Sequence, residues 1–185
     1  FNNYLEIGCA DYGMTRLICD VLDIDNVFTI DIGWQDQNTP DVCRNNIEAL
    51  SNRGVTRIFR GDSHGPEAED WLKKFGPIFD MIFIDGDHSY SSVVKDFALA
   101  KKYAKPGCYF IFHDYGCIED IARFVSEIST SEDISVIGNY LDSGNTKKGL
   151  SVLQYKQFKN HPDKPPRYSI VIPTYNHLED YLKPC

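Results

Sequence analysis

Two clusters of acidic and histidine side chains follow two apolar runs in the middle of this chain. Asp85, Asp87 and His88 come directly after the first run, and His113 and Asp114 come directly after the second. Carboxylates and imidazoles can hold a divalent metal ion, and an imidazole can take a proton from a substrate near neutral pH. The residue types therefore indicate metal binding or acid–base chemistry, provided that the fold brings the two clusters together.

The elements predicted around these clusters would bring them together. The apolar runs 81–84 and 108–112 are typical of strands buried on both faces of a parallel sheet. The stretch 91–103 predicts a helix, in which we interpret Asp96 as a solvated charge, and a Pro-Gly turn follows. Strands joined in this way are parallel, and ligands bind at the carboxyl ends of such strands. Both clusters are therefore expected on one edge of the sheet.

The remaining pattern predicts one α/β domain over residues 1–155. The chain has 185 residues, which is long enough for such a domain to bury its own core. Further strands are expected at 4–7, 27–30, 56–59, 134–137 and 150–153, and further helices at 14–22, 41–50, 66–75 and 118–128. The last two strands are expected to form an antiparallel hairpin.

The first strand leads into a glycine turn and a helix. Gly8, Ala10 and Gly13 have the spacing of a degraded dinucleotide fingerprint, although a turn of this kind can need glycine for geometry alone. Glu6, at the end of the strand, would repel a pyrophosphate. It favours a ligand with cationic character, and S-adenosylmethionine carries an ammonium group, a sulfonium and no phosphate.

Two further strand ends carry polar side chains that suit a nucleoside. Asp31 lies about 25 residues beyond Glu6, near the separation expected for a carboxylate that binds ribose hydroxyls, and its alternative is a helix cap or a surface charge. Asp62 and Ser63 offer an acceptor and a donor for an adenine edge, or form a turn and cap. We interpret His64, beside them, as a loop residue.

The composition indicates which partners and which cellular compartment to expect. The net charge is -8 and no Lys/Arg-rich stripe is present, which argues against nucleic acid as a partner. No apolar run reaches the roughly 20 residues of a membrane span. Six scattered cysteines without C-x-x-C spacing predict free thiols in a reducing cytoplasm. Because the first strand starts almost at Phe1, we expect the chain to be an excised fragment.

The segments after the domain change character. Residues 156–167 are polar and proline-rich, which predicts a linker. Residues 168–185 open a new strand with the sequence Y-S-I-V-I-P-T-Y-N. This opening resembles the first strand of a family 2 glycosyltransferase, which implies that the parent polypeptide fuses such a domain to the one before it.

Three segments together resemble the class I S-adenosylmethionine-dependent methyltransferases. These are E-I-G-C-A-D-Y-G-M-T from Glu6, D-G-D-H-S-Y from Asp85, and F-H-D-Y from Phe112. The likeness is strongest to small-molecule O-methyltransferases that group with cephalosporin-hydroxylase-like and macrolide-sugar enzymes. Tyr12 and Met14 depart from the first motif of that family, E-I-G-x-A-x-G-G-S-T.

The resemblance implies a fold and a cofactor. The fold is a Rossmann-like, seven-stranded, mostly parallel, doubly wound sheet with an antiparallel last strand. Glu6, Gly8, Ala10 and Gly13 would face the methionine moiety of S-adenosylmethionine. Asp31 would bind its ribose, and Asp62, Ser63 and Asp85 would complete the cofactor site.

The resemblance also implies a catalytic site. Asp85, His113 and Asp114 would hold a divalent cation, Mg²⁺ or Mn²⁺, with His113 standing where relatives carry Glu. His88 would be the general base, acting beside Asp85, or alternatively a loop histidine that orients that carboxylate. The acceptor implied is a hydroxyl of a small molecule, and the glycosyltransferase-like segment favours a sugar or glycan.

Three other functions remain open from the residues alone. A nicotinamide-dependent oxidoreductase can use the same scaffold, but Glu6 and the missing middle glycine argue against it. A metal-dependent hydrolase would leave Glu6, Gly8 and Asp31 without a role. A non-catalytic module serving the glycosyltransferase is compatible with the departures at Tyr12, Met14 and His113.

Overall fold

The structure, a computed structural model, describes residues 1–24, 26–33, 40–141 and 149–156. Strands and helices alternate from β1 to β5, after which α5 leads into two final strands. The strands are β1 Asn3–Ile7, β2 Asn26–Asp31, β3 Val55–Arg60, β4 Phe79–Ile84, β5 Ala104–Phe112, β6 Ile134–Leu141 and β7 Gly149–Tyr155. The helices are α1 Gly13–Leu22, α2 Asp41–Arg53, α3 Pro66–Lys73, α4 Tyr90–Tyr103 and α5 Glu119–Ile128.

All seven strands form one sheet in the order β3-β2-β1-β4-β5-β7-β6. The first five strands are parallel, and β7 lies antiparallel between β5 and β6. The strand order reverses between β1 and β4, which is where open α/β sheets form their ligand crevice. The predicted seven-stranded, mostly parallel sheet and its terminal hairpin are confirmed.

The strands alternate their side chains between two helical layers. Leu5 and Ile7 of β1 face the core under α3, α4 and α5, whereas Tyr4 faces the core under α1 and α2. This period of two follows from the pleat of a strand, and it gives the doubly wound arrangement a core on each face. On the first face Phe97 of α4 and Phe124 of α5 pack edge-on at 5.5 Å. Such pairs contribute about 0.5–1.5 kcal/mol beyond burial and fix the helices that follow the site loops.

The start of β5 differs from the prediction. We expected a Pro-Gly turn between α4 and a strand at 108–112, but the strand begins at Ala104, directly after the helix. Pro106 and Gly107 lie inside the strand, where its pairing with β4 shifts register. A proline lacks the N–H that a central strand needs, and an irregularity of this kind accommodates it.

The hydrogen bonding of the sheet continues past the strand ends and holds the site loops side by side. Gly8 donates to Ile30 at 2.9 Å, and the N–H of Asp85 donates to the carbonyl of Ile7 at 2.8 Å. The N–H of His113 donates to the carbonyl of Ile84 at 3.2 Å. The loops after β1, β4 and β5 are thus fixed relative to one another by backbone contacts.

The described residues bear on the predictions about membrane spans and cysteines. None of the helices in the described ranges is long and apolar enough to cross a membrane. Cys9, Cys19, Cys43, Cys108 and Cys117 are free thiols. The predicted linker after residue 156 and the glycosyltransferase-like segment lie outside the described residues.

Candidate functional site

A cavity of about 870 Å³ opens at the carboxyl ends of β1, β2, β3 and β4. Its volume lies within the range of pockets that bury a drug-sized ligand. Eight of the predicted site residues line it: Glu6, Gly8, Ala10, Asp31, Asp62, Ser63, Asp85 and His113. Gly13, His88 and Asp114, which were also predicted, lie beside the cavity without lining it.

Gly8 sits where the loops after β1 and β4 approach most closely. Its φ of +85° lies in the left-handed region. A Cβ built at this position would lie 2.2 Å from the carbonyl oxygen of Asp85. Only glycine meets both conditions, because any side chain would clash with that backbone. The structure thus gives Gly8 a packing role between two site loops as well as a place in the cavity wall.

The turn between β1 and α1 is held by Asp31. One carboxylate oxygen of Asp31 accepts the N–H groups of Cys9 at 2.6 Å and Ala10 at 3.0 Å, and the other accepts that of Gly33 at 2.6 Å. Ala10 and Tyr12 both have positive φ, at 45° and 63°. Residues other than glycine rarely adopt this backbone conformation. Asp31 therefore stabilises a strained turn, and it also faces the cavity.

Tyr12 occupies the position where the family motif has glycine. Its backbone keeps the left-handed conformation that glycine would adopt freely, and its side chain is only 4% exposed. Gly13 begins α1, and its N–H donates to the Asp11 carboxylate at 2.8 Å. Tyr12 thus takes the backbone conformation that the glycine of the motif would favour, and its ring packs into the core.

Glu6 is the most deeply buried acid in the cavity wall. It is 1% exposed, and its Oε2 accepts a hydrogen bond from the Tyr4 hydroxyl at 2.7 Å. Burial raises the pKa of Glu6 to about 8, with the charges of Asp85 and Asp31 adding to the rise and Tyr4 opposing it. A buried cation beside Glu6 would favour its charged form, whereas a second anion would not.

The β3–α3 loop forms the far wall of the cavity. The Asp62 carboxylate accepts the N–H of His64 at 2.8 Å, and the Ser63 hydroxyl donates to Asp96 at 2.6 Å. His64 Nε2 also lies 3.1 Å from Asp96 Oδ1. Asp96 is 1% exposed, so its interpretation as a solvated charge was wrong. Burial raises the pKa of Asp96, although Ser63 and His64 oppose that rise.

The two clusters identified from the sequence meet at the ends of β4 and β5. Asp85 Oδ1 lies 3.2 Å from His88 Nε2 and 3.1 Å from His113 Nδ1. Asp114 lies 3.3 Å from His113 Nδ1 through Oδ1 and 3.8 Å from His88 Nδ1 through Oδ2. The expected proximity of the two clusters is therefore present in the fold.

The ionisable groups in this cluster shift one another's pKa values. Burial acts to raise the pKa of Asp85, but hydrogen bonds from His113 and His88 outweigh it, and the net pKa is lowered. The pKa of His88 is raised, chiefly by its hydrogen bond to Asp85. Because Asp85 favours a proton on Nε2 of His88, the lone pair of that ring is left on Nδ1.

Asp85, His113 and Asp114 fit a divalent cation by their spacing. Each offers one ligand atom, and these atoms lie within 4.8 Å of one another. Neighbouring ligands of an octahedral ion, each about 2.1 Å from the metal, stand about 3.0 Å apart. The observed separations of 3.1 and 3.3 Å are close to that value. Asp114 also keeps a positive φ of 55°, a strained conformation that is frequent at functional sites.

Asp87 takes no part in these contacts. Its carboxylate accepts the N–H of Ser89 at 3.1 Å and the Ser92 hydroxyl at 2.8 Å. These bonds fix the loop before α4 and give Asp87 a structural role.

Sequence reasoning missed two contributors to the site. Tyr4 lies two residues before Glu6, so the alternation of a strand already places them on one face. Asp96 lies at helical spacing from Val93 and Ala100, which are both buried, and this periodicity puts it on the core face of α4. The apolar side chain of Leu150 lines the cavity as well, and nothing in its local sequence marks it.

Comparison with known proteins gives one curated relative and several solved structures. "Uncharacterized protein R132" of Acanthamoeba polyphaga mimivirus is 32% identical over 116 residues, which are 60% of this chain and 51% of that protein. The chain thus spans about half the length of the curated relative.

Two solved O-methyltransferases share the fold. The Bacillus cereus enzyme, in complex with SAH, is 21% identical with a TM-score of 0.63, over 83% of this chain and 74% of its own. TomG from Streptomyces achromogenes, in complex with SAM, is 17% identical with a TM-score of 0.58, over 84% and 73%. At these identities the likeness establishes the fold.

A match to a family of methyltransferase domains covers residues 5–115. This range runs from β1 to the residue after Asp114, so it contains the cavity walls contributed by the first four strands and both clusters. It is more than half of the chain. The predicted family is confirmed, and the chain belongs to the methyltransferase-domain family.

Proposed function

We propose that this chain binds S-adenosylmethionine in the cavity and transfers its methyl group to a hydroxyl of a small molecule. Membership of the methyltransferase-domain family supports the reaction type. Two structural neighbours whose names state that they are O-methyltransferases, with SAH or SAM bound, support the cofactor and the acceptor atom.

One observation carries the proposal. A single cavity has buried Glu6 in one wall and Asp85 and His113 in another. Glu6 supplies a carboxylate for the cationic methionine end. Among the described residues that line the cavity there is no Lys or Arg, which disfavours a pyrophosphate. The cluster of Asp85 and His113 supplies groups that can orient and deprotonate an acceptor. A donor pocket and an acceptor site are thus contiguous.

The transfer is an in-line displacement at the methyl carbon. The acceptor oxygen forms a bond to this carbon as the bond to sulfur breaks, and the sulfonium becomes the neutral thioether of S-adenosylhomocysteine. The hydroxyl proton passes to His88, whose Nδ1 carries the lone pair, and then to solvent. Base catalysis of this kind contributes about 10²–10⁴-fold to the rate, and correct alignment contributes further.

Asp85, His113 and Asp114 would hold a divalent cation in this reaction. When bound, the ion supplies Lewis-acid stabilisation of the alkoxide and lowers the pKa of the acceptor hydroxyl. A ligand set of one imidazole and two carboxylates suits Mn²⁺ as well as Mg²⁺.

A sugar or glycan hydroxyl is the acceptor that we propose. The support comes from the glycosyltransferase-like sequence at 168–185, which would place a glycan-building activity on the same polypeptide. On this proposal the two activities act on one growing product.

The test is a screen with S-adenosylmethionine labelled on the methyl group. Sugars, glycan fragments and simple phenols are offered as acceptors, each with Mg²⁺, with Mn²⁺ and with EDTA. Label transferred to a hydroxyl supports the proposal. Binding of NAD with no binding of S-adenosylhomocysteine would replace it with an oxidoreductase.

A further inference from the structure

Tyr4 lies beneath the cavity without lining it. Its side chain is fully buried, and its hydroxyl donates a hydrogen bond of 2.7 Å to Oε2 of Glu6. The alternation of β1 places both side chains on the same face of the sheet. Glu6 itself lines the cavity. Tyr4 can therefore act on a bound ligand only through Glu6.

The surroundings of Glu6 do not favour a negative charge. Its neighbours in the adjacent strands, Thr29 of β2 and Phe83 of β4, are uncharged. The charges of Asp85 and Asp31 act on Glu6, and both are negative. An ionised Glu6 in this place therefore depends on hydrogen-bond donors and on any cation that a ligand brings.

Among the described residues, Tyr4 is the side chain that donates a hydrogen bond to the Glu6 carboxylate. Burial raises the pKa of Glu6, and the nearby Thr15 hydroxyl opposes that rise, but this buried hydroxyl makes no hydrogen bond to any described residue. A tyrosine hydroxyl has a single proton, so it engages Oε2 and leaves Oε1 of Glu6 for a ligand.

We propose that Tyr4 is a positioning residue for the ammonium group of the bound ligand. Its hydroxyl orients Glu6 and stabilises the ionised carboxylate, which the ammonium meets at Oε1. A hydrogen bond to a charged acceptor is stronger than one to a neutral acceptor, so Tyr4 favours the ionised form. A ligand without an ammonium group gains nothing from this charge. The inference rests on the proposed function, because it assumes an adenosyl ligand with an amino-acid end.

The experiment compares a ligand that has the ammonium group with one that lacks it. Isothermal calorimetry with the full chain measures the affinity for S-adenosylhomocysteine and for methylthioadenosine, which keeps the adenosine and the sulfur but has no amino-acid end. Tyr4→Phe removes the hydroxyl and keeps the ring. It should weaken the binding of S-adenosylhomocysteine by about 10- to 100-fold, the range for a hydrogen bond to a charged group, and leave that of methylthioadenosine unchanged. A merely structural role would weaken the binding of both ligands alike.

Two further variants show whether the effect passes through Glu6. Tyr109→Phe is the matched control, because Tyr109 packs on the same face of the sheet and burial alone raises its pKa. It should change neither affinity. In a Glu6→Gln background, Tyr4→Phe should change the affinity for S-adenosylhomocysteine by less than about twofold, because no charge is left for the hydroxyl to stabilise.

The outcomes separate this inference from the proposed function. An unchanged affinity for S-adenosylhomocysteine in Tyr4→Phe, an equal loss for the two ligands, or a full loss in the Glu6→Gln background would overturn the inference alone. No binding of S-adenosylhomocysteine to the wild-type chain would overturn the proposed function with it. If Tyr4→Phe does not fold, replacement of Tyr4 by difluorotyrosine decides the question. This residue keeps the hydroxyl as a stronger donor, so S-adenosylhomocysteine should bind more tightly and methylthioadenosine as before, and no change for either ligand would overturn the inference.

Discussion

The affinity for S-adenosylhomocysteine should depend on pH through Glu6. The product carries the same amino-acid ammonium as the donor, and we place this group against the Glu6 carboxylate. Because the pKa of Glu6 is raised to about 8, most of the ligand-free protein holds this group protonated at neutral pH. Binding must then release the proton, which costs about 1.4 kcal/mol for each unit between the pKa and the pH.

The magnitude follows from that pKa. With a pKa of about 8, roughly one Glu6 in a hundred is ionised at pH 6 and one in eleven at pH 7. The dissociation constant should therefore fall about ninefold from pH 6 to pH 7. This window lies below the usual pKa of an α-amino group, about 7.7–8.0, so the ligand stays cationic. At pH 7 binding should release about 0.9 proton.

Calorimetry in two buffers of different ionisation enthalpy measures both the affinity and the released proton. Glu6→Gln is the control, because it keeps an acceptor for the Tyr4 hydroxyl but cannot ionise. This variant should bind more weakly and lose the pH dependence. A wild-type affinity that does not change between pH 6 and pH 7, or an equal slope in Glu6→Gln, would refute the reasoning.

Three further predictions concern the catalytic cluster and the turn beneath it. His88→Ala should lower turnover by about 10²–10⁴-fold and leave the affinity for S-adenosylhomocysteine unchanged, as measured by initial rates and calorimetry. Asp114→Ala should abolish the binding of Mn²⁺ seen by calorimetric titration, and chelation with EDTA should abolish methyl transfer by the wild-type chain. Gly8→Ala should lower the free energy of unfolding by about 3 kcal/mol or more in urea titrations, because the new Cβ would lie 2.2 Å from the Asp85 carbonyl oxygen.

Each of these has a control and a contrary result. Full turnover in His88→Ala would remove the base from the mechanism, and tight Mn²⁺ binding by Asp114→Ala would remove this ligand. Gly76→Ala is matched to Gly8→Ala, because Gly76 has a φ of +71° and open space around it. Gly76→Ala should lower the free energy of unfolding by only about 1–2 kcal/mol, because it strains the left-handed backbone without a clash. An equal loss of unfolding free energy in the two glycine variants would show that the contact with Asp85 does not affect stability.

The fold was predictable because its signals are local and agree with one another. The apolar runs that became β1, β2, β4 and β7 are short and bounded by polar turns, and their alternation with helical stretches specifies a parallel sheet. The beginning of β5 was not predictable in this way. Pro106 and Gly107 favour a turn locally, and pairing with β4 overrides that preference.

The site residues that directly follow the end of a strand were predictable. Glu6, Asp31, Asp85 and His113 could be placed on one edge from topology alone. The contacts that join distant parts of the chain could not be predicted in this way. The bond from Ser63 to Asp96 spans 33 residues, and only the packing of α4 against the sheet brings its ends together.

The most direct test of the central claim is a crystal structure of the chain with S-adenosylhomocysteine bound. The account predicts the methionine ammonium against Glu6, the ribose near Asp31, and the sulfur directed toward Asp85 and His88. A ligand bound outside this cavity, or with its ammonium turned away from Glu6, would contradict the account.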